Sequence, residues 1–153
     1  MKLMFVCTGN TCRSVMAEYL FKTMISGDIE ISSAGIMAKD GSSPSLNTID
    51  VCKKHGLDVS NHKATNVKRS NIKDMDLVLT LEESHRNTLL NMYPNLSIYT
   101  IKEFNDVDYV YDIEDPYNQS LEVYEATFNE IKESLEKIDP DKLLSYGFNV
   151  EKD

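Results

Sequence analysis

The chain has 153 residues, 41% of them hydrophobic and 27% charged, and a formal net charge of −9. That size and balance suit a single domain spanning residues 1–153 with a core of its own, and exclude low-complexity and repeat architectures. The acidic surplus argues against a nucleic-acid partner or an anionic membrane surface.

Lys2 to Cys7 is short and apolar and runs into a glycine-containing turn, which predicts a buried first strand. This run is too short for a membrane span or a signal-peptide core, so the expected compartment is the cytoplasm. Ser14 to about Ile25 has helical spacing, with Met16, Leu20 and Met24 four apart. Ser26-Gly27-Asp28 breaks it, Ile29 to Ser33 alternates as a second strand, and Ala34 to Pro44 reads as loop. Ser45 caps a helix to about His55, stopped by Gly56. Asp76 to Thr80 is a third strand, and Thr80 with Glu83 has the spacing of a capping box for a helix ending near Tyr93-Pro94.

Ser97 to Ile101 completes a fourth strand. From Glu103 onward there are 15 acidic and only 4 basic residues, which reads as a solvated face. Within it, Leu121, Tyr124, Phe128, Ile131, Leu135 and Ile138 are spaced three and four apart and predict the longest helix. Alternating strands and helices imply an α/β fold, a four-stranded parallel sheet with helices on both faces. Ligands of such sheets bind beyond the carboxyl ends of the strands, and Cys7 stands at one.

The loop Cys7-Thr8-Gly9-Asn10-Thr11-Cys12-Arg13-Ser14 joins the first strand to the first helix. A turn there can aim several backbone N–H groups into one concave space, and the helix start adds its positive dipole end. Gly9 permits close approach or a positive φ, and Asn10 tolerates left-handed geometry and can brace the loop. Arg13 offers a planar fork for two phosphate oxygens. An anionic sulfur is favoured in that field, Ser14 can donate to it, and Cys7 becomes a nucleophile at the floor of a phosphate-sized cup.

At these residues the chain resembles the low-molecular-weight protein tyrosine phosphatases. The likeness runs through Val6 to Ser14, Met16-Ala17-Glu18, Ser33-Ala34-Gly35, Asp76 to Thr80 and Asp115-Pro116-Tyr117, in the family's order. It implies that Cys7 is the nucleophile, Arg13 the phosphate-binding arginine and Asp115 a general acid on a distant loop. Asn10 and Ser14 would support the loop and the thiolate. Thr8, Gly9, Asn10, Thr11, Cys12, Arg13, Ser14 and Tyr117 would contact phosphate or substrate. The implied partners are phosphorylated proteins and inorganic phosphate or other oxyanions, with no metal and no cofactor.

Two positions point in different directions on the substrate. Thr11 stands where many tyrosine-directed members have a bulky aliphatic residue, and the protein-arginine phosphatases resemble this chain in having threonine. Tyr117 follows the tyrosine-directed Asp-Pro-Tyr pattern. Val15 replaces the proline that usually follows the Arg-Ser pair, and either residue can start a helix.

Cys12 is open to two readings: by resemblance a disulfide trap for oxidised Cys7, or a buried packing cysteine. Cys52 reads as core. The three cysteines cannot all pair and are expected to be reduced thiols. His55, His62 and His85 lie in or beside helices and are assigned to structure.

Arsenate reduction on this fold needs further cysteines after the third strand, and Leu81 to Tyr93 contains none. A phosphate-sensing domain would need neither thiolate nor acid. The Cys7 and Cys12 spacing is not that of a structural zinc site.

Overall fold

The computed structural model describes residues 1–108 and 110–148. The expectation of one domain also covers residues 149–153, which lie outside the described residues. Four strands form one sheet in the order β2-β1-β3-β4: β1 (Lys2–Cys7), β2 (Glu30–Gly35), β3 (Leu77–Thr80) and β4 (Ile98–Thr100). All three pairings are parallel, with Cys7 beside Gly35 and Val6 beside Thr80. The chain leaves the central strand β1 toward one edge and later returns to β3 on its other side. A crevice opens at the carboxyl end of β1, where such sheets bind ligands.

Alternation along the strands divides the core in two. Leu3, Phe5 and Cys7 of β1 join Leu77 and Leu79 under α1 (Arg13–Met24) and α5 (Leu121–Glu136), through Val15, Met16, Phe21, Tyr124, Phe128, Ile131 and Leu135. Met4, Val6, Val78 and Ile98 face the other way, against Leu89 of α3 (Glu83–Met92) and the short turns carrying Val67 and Ile72. Helices therefore cover both faces, as the strand–helix alternation requires. Helix α1 is buried along most of its length, Glu18 included, and its first turn forms one wall of the crevice.

Helix α2 (Leu46–Lys54) begins at the predicted Ser45 cap, whose hydroxyl accepts from the Thr48 N–H. Buried Val51 and Cys52 face the α5 side of the core; Cys52 is fully buried, and burial pushes its thiol up to about 12.

Two local expectations change. Thr80 and Glu83 do not form a capping box: α3 starts after Glu82, and the Thr80 hydroxyl donates to the Glu82 carbonyl. Leu81 stays extended because its N–H bonds Val6 and its carbonyl accepts from Ile113, which delays the helix. The capping box forms instead at Thr100 and Glu103, where β4 runs into α4 (Ile101–Phe104), so Ile101 opens a helix and does not end a strand. Beyond α5, Asp139 caps α6 (Pro140–Ser145), which seats Leu143 in the core.

Candidate active site

The loop between β1 and α1 is shaped by where its carbonyls go. Those of Cys7 and Thr8 accept from the N–H groups of Ile36 and Met37, that of Thr11 from Ser45, and that of Cys12 from Met16. Four of the loop's carbonyls are thereby engaged away from its own amides, and the first N–H groups of α1 have no intrahelical partner. The left-handed residue is Asn10, at φ 56°, so the positive φ offered to Gly9 falls on its neighbour. Asparagine tolerates that conformation because its short polar side chain bonds locally.

Asn10 is fully buried and all four of its amide positions are used. Its Nδ2 donates to Ser14 Oγ at 2.8 Å and to Ser33 Oγ at 2.9 Å. Its Oδ1 accepts from His62 Nε2 at 3.2 Å and from the Thr65 N–H at 3.0 Å. Ser33 in turn donates to Glu18 Oε1 at 2.5 Å, and Glu18 is paired with Lys22. This network sets the direction of one further bond. Ser14 Oγ has accepted from Asn10, so its own proton is available to Cys7 Sγ, 2.9 Å away.

Arg13 is 1% exposed, and one of its two terminal nitrogens is fully committed. Nη1 donates to Glu82 Oε1 at 2.7 Å and to the Ile113 carbonyl at 2.8 Å. Nη2 lies 3.5 Å from Thr8 Oγ1 and 3.6 Å from Asp115 Oδ2. Burial acts to raise the Glu82 carboxyl, but hydrogen bonding and charge from Arg13 outweigh it and hold the group below the usual carboxylate range. Glu82 thus stays an anion that clamps one end of the guanidinium and leaves the other end facing the crevice.

The crevice is a pocket of about 300 Å³ lined by Cys7, Thr8, Gly9, Thr11, Cys12, Arg13, Lys39, Ser42, Asp115 and Tyr117. Asp115 arrives on the loop before α5, its Oδ1 accepting from the Tyr117 N–H and its side chain 44% exposed. Tyr117 stands 59% exposed at the rim. Asn10 and Ser14 lie behind the pocket wall as braces. Cys12 has its sulfur 3.4 Å from Ser45 Oγ and 3.5 Å from Tyr124 Oη. Burial, followed by the bond to Cys12, pushes the Tyr124 phenol up to about 12.

Residues brought here from far along the chain had no distinct signal in the sequence. Glu82, His62, His85, Lys39 and Ser42 join the loop from segments whose approach only the sheet order decides. Two of the three histidines assigned to general structure serve this loop: His62 holds Asn10, and His85 Nε2 lies 2.9 Å from Thr8 Oγ1. His55 does pack structurally, stacked on Phe128 at 4.1 Å and bonded to Glu125. Among the described residues no group of three or more potential metal ligands converges, and no helix is long and apolar enough to cross a membrane.

A four-stranded parallel sheet with Cys7 at the end of its first strand and Arg13 at the start of the following helix, both lining one pocket, is the arrangement that the comparisons match to a class of small protein phosphatases. Residues 2–144 match the family described as low molecular weight phosphotyrosine protein phosphatase, and the chain belongs to that family of hydrolases. It is 34% identical to the low molecular weight protein-tyrosine-phosphatase PtpB of Staphylococcus epidermidis, covering 90% of this chain and 96% of that one. It is 31% identical to the protein-arginine-phosphatase of Geobacillus stearothermophilus, covering 90% and 93%. The crystal structure of a low molecular weight protein tyrosine phosphatase from T. tengcongensis superposes with a TM-score of 0.82 at 41% identity, covering 90% and 96%.

Proposed function

We propose that the protein hydrolyses phosphorylated side chains of proteins through a cysteinyl-phosphate on Cys7. The observation that carries this reading is the 2.9 Å bond from Ser14 to Cys7 Sγ at the floor of a pocket also lined by Arg13 and Asp115. In the first step Cys7 sulfur attacks phosphorus in line with the leaving atom. The S–P bond forms as the P–O or P–N bond of the substrate breaks, and Asp115 gives its proton to the departing oxygen or nitrogen. The free edge of Arg13 and the loop amides hold the equatorial oxygens, whose charge redistributes in the transition state. In the second step water attacks phosphorus, Asp115 takes its proton, the S–P bond breaks and phosphate leaves.

On this reading Thr11 tips the substrate toward phosphoarginine. Thr11 is among the residues lining the pocket, and its hydroxyl lies 3.8 Å from Cys12 Sγ. A hydroxyl there can bond a guanidinium nitrogen, whereas a phenol ring would leave it unpaired, which is the kind of mismatch that discriminates strongly between substrates. Tyr117 at the rim favours the second reading, phosphotyrosine, by offering a wall for an aromatic ring.

The test is phosphate release from matched phosphoarginine and phosphotyrosine peptides, with Cys7→Ser as blank. Turnover by wild type and none by Cys7→Ser is expected. Equal rates in the two proteins would overturn the mechanism. Asp115→Asn should slow peptide substrates far more than activated aryl phosphates, because only a poor leaving group needs the proton. Thr11→Ile should cost phosphoarginine turnover at least tenfold and spare phosphotyrosine.

A further inference from the structure

Thr8 and His85 form a pair at the edge of the cradle that the scheme above does not use. Thr8 Oγ1 lies 2.9 Å from His85 Nε2 and 3.5 Å from Arg13 Nη2, and both Thr8 and Arg13 line the pocket. His85 sits in the first turn of α3, is 4% exposed, and its Nδ1 is buried with no partner among the described residues. Burial pushes the ring down to about 4, against the opposing charge of Glu82, so the imidazole is neutral near pH 7 and carries one proton.

The surroundings decide which nitrogen holds that proton. Glu82 Oε2, an acceptor only, lies 3.5 Å from Nε2. A proton on Nε2 therefore meets a carboxylate and a hydroxyl oxygen, while a proton on Nδ1 would be an orphaned buried donor, the rarer and worse arrangement. With Nε2–H donating, Thr8 Oγ1 accepts from His85 on one side and from Arg13 on the other. Both of its lone pairs are then engaged, and its single proton is left to point into the pocket.

We infer that the Thr8 hydroxyl is a side-chain donor to the bound phosphoryl group and that His85 is the positioning residue that fixes it in the donating orientation. The inference rests on the phosphatase reading. It separates two roles that a shared loop would otherwise hide: Thr8 touches the oxyanion, and His85 acts only through Thr8. A hydroxyl without His85 could turn its proton away from the pocket, and a phosphate oxygen would then face a lone pair.

The experiment measures inhibition constants of inorganic phosphate and orthovanadate, with kcat and KM for an aryl phosphate, in the full chain. Thr8→Val keeps the shape and removes the hydroxyl; it should weaken phosphate about tenfold or more, as expected for a hydrogen bond to a charged group. Thr8→Ser should restore binding to within about twofold. His85→Leu should weaken phosphate as Thr8→Val does, and His85→Gln, whose amide N–H can occupy the place of Nε2–H, should recover most of it. Because His85 acts through Thr8, Thr8→Val with His85→Leu together should be no worse than Thr8→Val alone.

Multiplied losses in the double variant, or unchanged phosphate binding in Thr8→Val, would overturn the inference while leaving wild-type turnover intact. Should His85→Leu not fold, the comparison of Thr8→Val with and without His85→Gln decides: equal binding supports the coupling, and a further tenfold loss overturns it. Absence of turnover in the wild type would instead overturn the phosphatase reading itself, and this inference with it.

Discussion

Arg13 Nη1 and Glu82 Oε1 meet at 2.7 Å, joining the first turn of one helix to the residue just before another across the carboxyl end of the sheet. The pair makes the guanidinium directional. One terminal nitrogen is spent on Glu82 and the Ile113 carbonyl, so the opposite edge is the part that remains for an oxyanion.

Glu82→Gln should therefore fold but lose catalytic efficiency by about tenfold or more, since the amide can still accept from Arg13 but no longer balances its charge. Glu82→Ala should in addition destabilise by about 1–3 kcal/mol, the cost of leaving a buried charged donor short of a partner. Denaturant melts and kcat/KM on both variants check this. Equal kcat/KM in Glu82→Gln and wild type would mean that the clamp has no part in turnover.

Gly35 is the position least able to accept a side chain. A β-carbon there would lie 2.6 Å from the Thr8 carbonyl and 2.8 Å from the Asn10 N–H nitrogen, both backbone atoms of the cradle. Gly35→Ala must push the loop inward or the strand apart, because backbone cannot rotate out of the way as a side chain can. The expected result is a loss of at least a hundredfold in activity with a cooperative melt still present. An active Gly35→Ala would show that the loop tolerates displacement.

For Asn10 the comparison of two replacements is the informative one. Asn10→Ala removes four hydrogen bonds, leaves Ser14 free to turn from Cys7, and keeps a positive φ that alanine resists. Asn10→Gly relieves only the backbone strain. Both should lose activity, with Asn10→Gly the more stable of the two; restored activity in Asn10→Gly would assign the residue to backbone shape alone.

The histidines set the pH dependence of stability. His62 and His85 are both held down by burial, His85 to about 4. The unfolded chain takes up protons on these rings as pH falls through ~6.5, while folded His85 refuses its proton until about pH 4. Protonation therefore favours the unfolded state in that window. The melting temperature should be flat with respect to His85 above pH ~7 and fall steadily from 6.5 toward 4. His85→Gln should remove part of that slope.

Much of this was legible because strands and cradle are local. The run from Lys2 to Ser14 carries its own strand, turn and helix start. Glu82 and His85 were not legible as partners of Arg13 and Thr8, since nothing in their spacing says that β3 lies next to β1. Both capping-box spacings, Thr80 with Glu83 and Thr100 with Glu103, look alike in the sequence. Only pairing of Leu81 with Val6 and Ile113 keeps the first of them extended. Asn10 and Gly9 were both candidates for the left-handed turn, and Asn10 took it because four partners from three separate segments reward its amide.

That saturated amide has a consequence for how the protein fails. An Asn10 side chain with every hydrogen-bonding position occupied by α1, β2 and the segment from His62 to Thr65 cannot loosen without loosening those elements too. The loop from Cys7 to Arg13 then has no private melting transition: on heating, loss of activity should coincide with global unfolding and not run ahead of it, so an activity assay on heated samples doubles as a measurement of the stability of the fold.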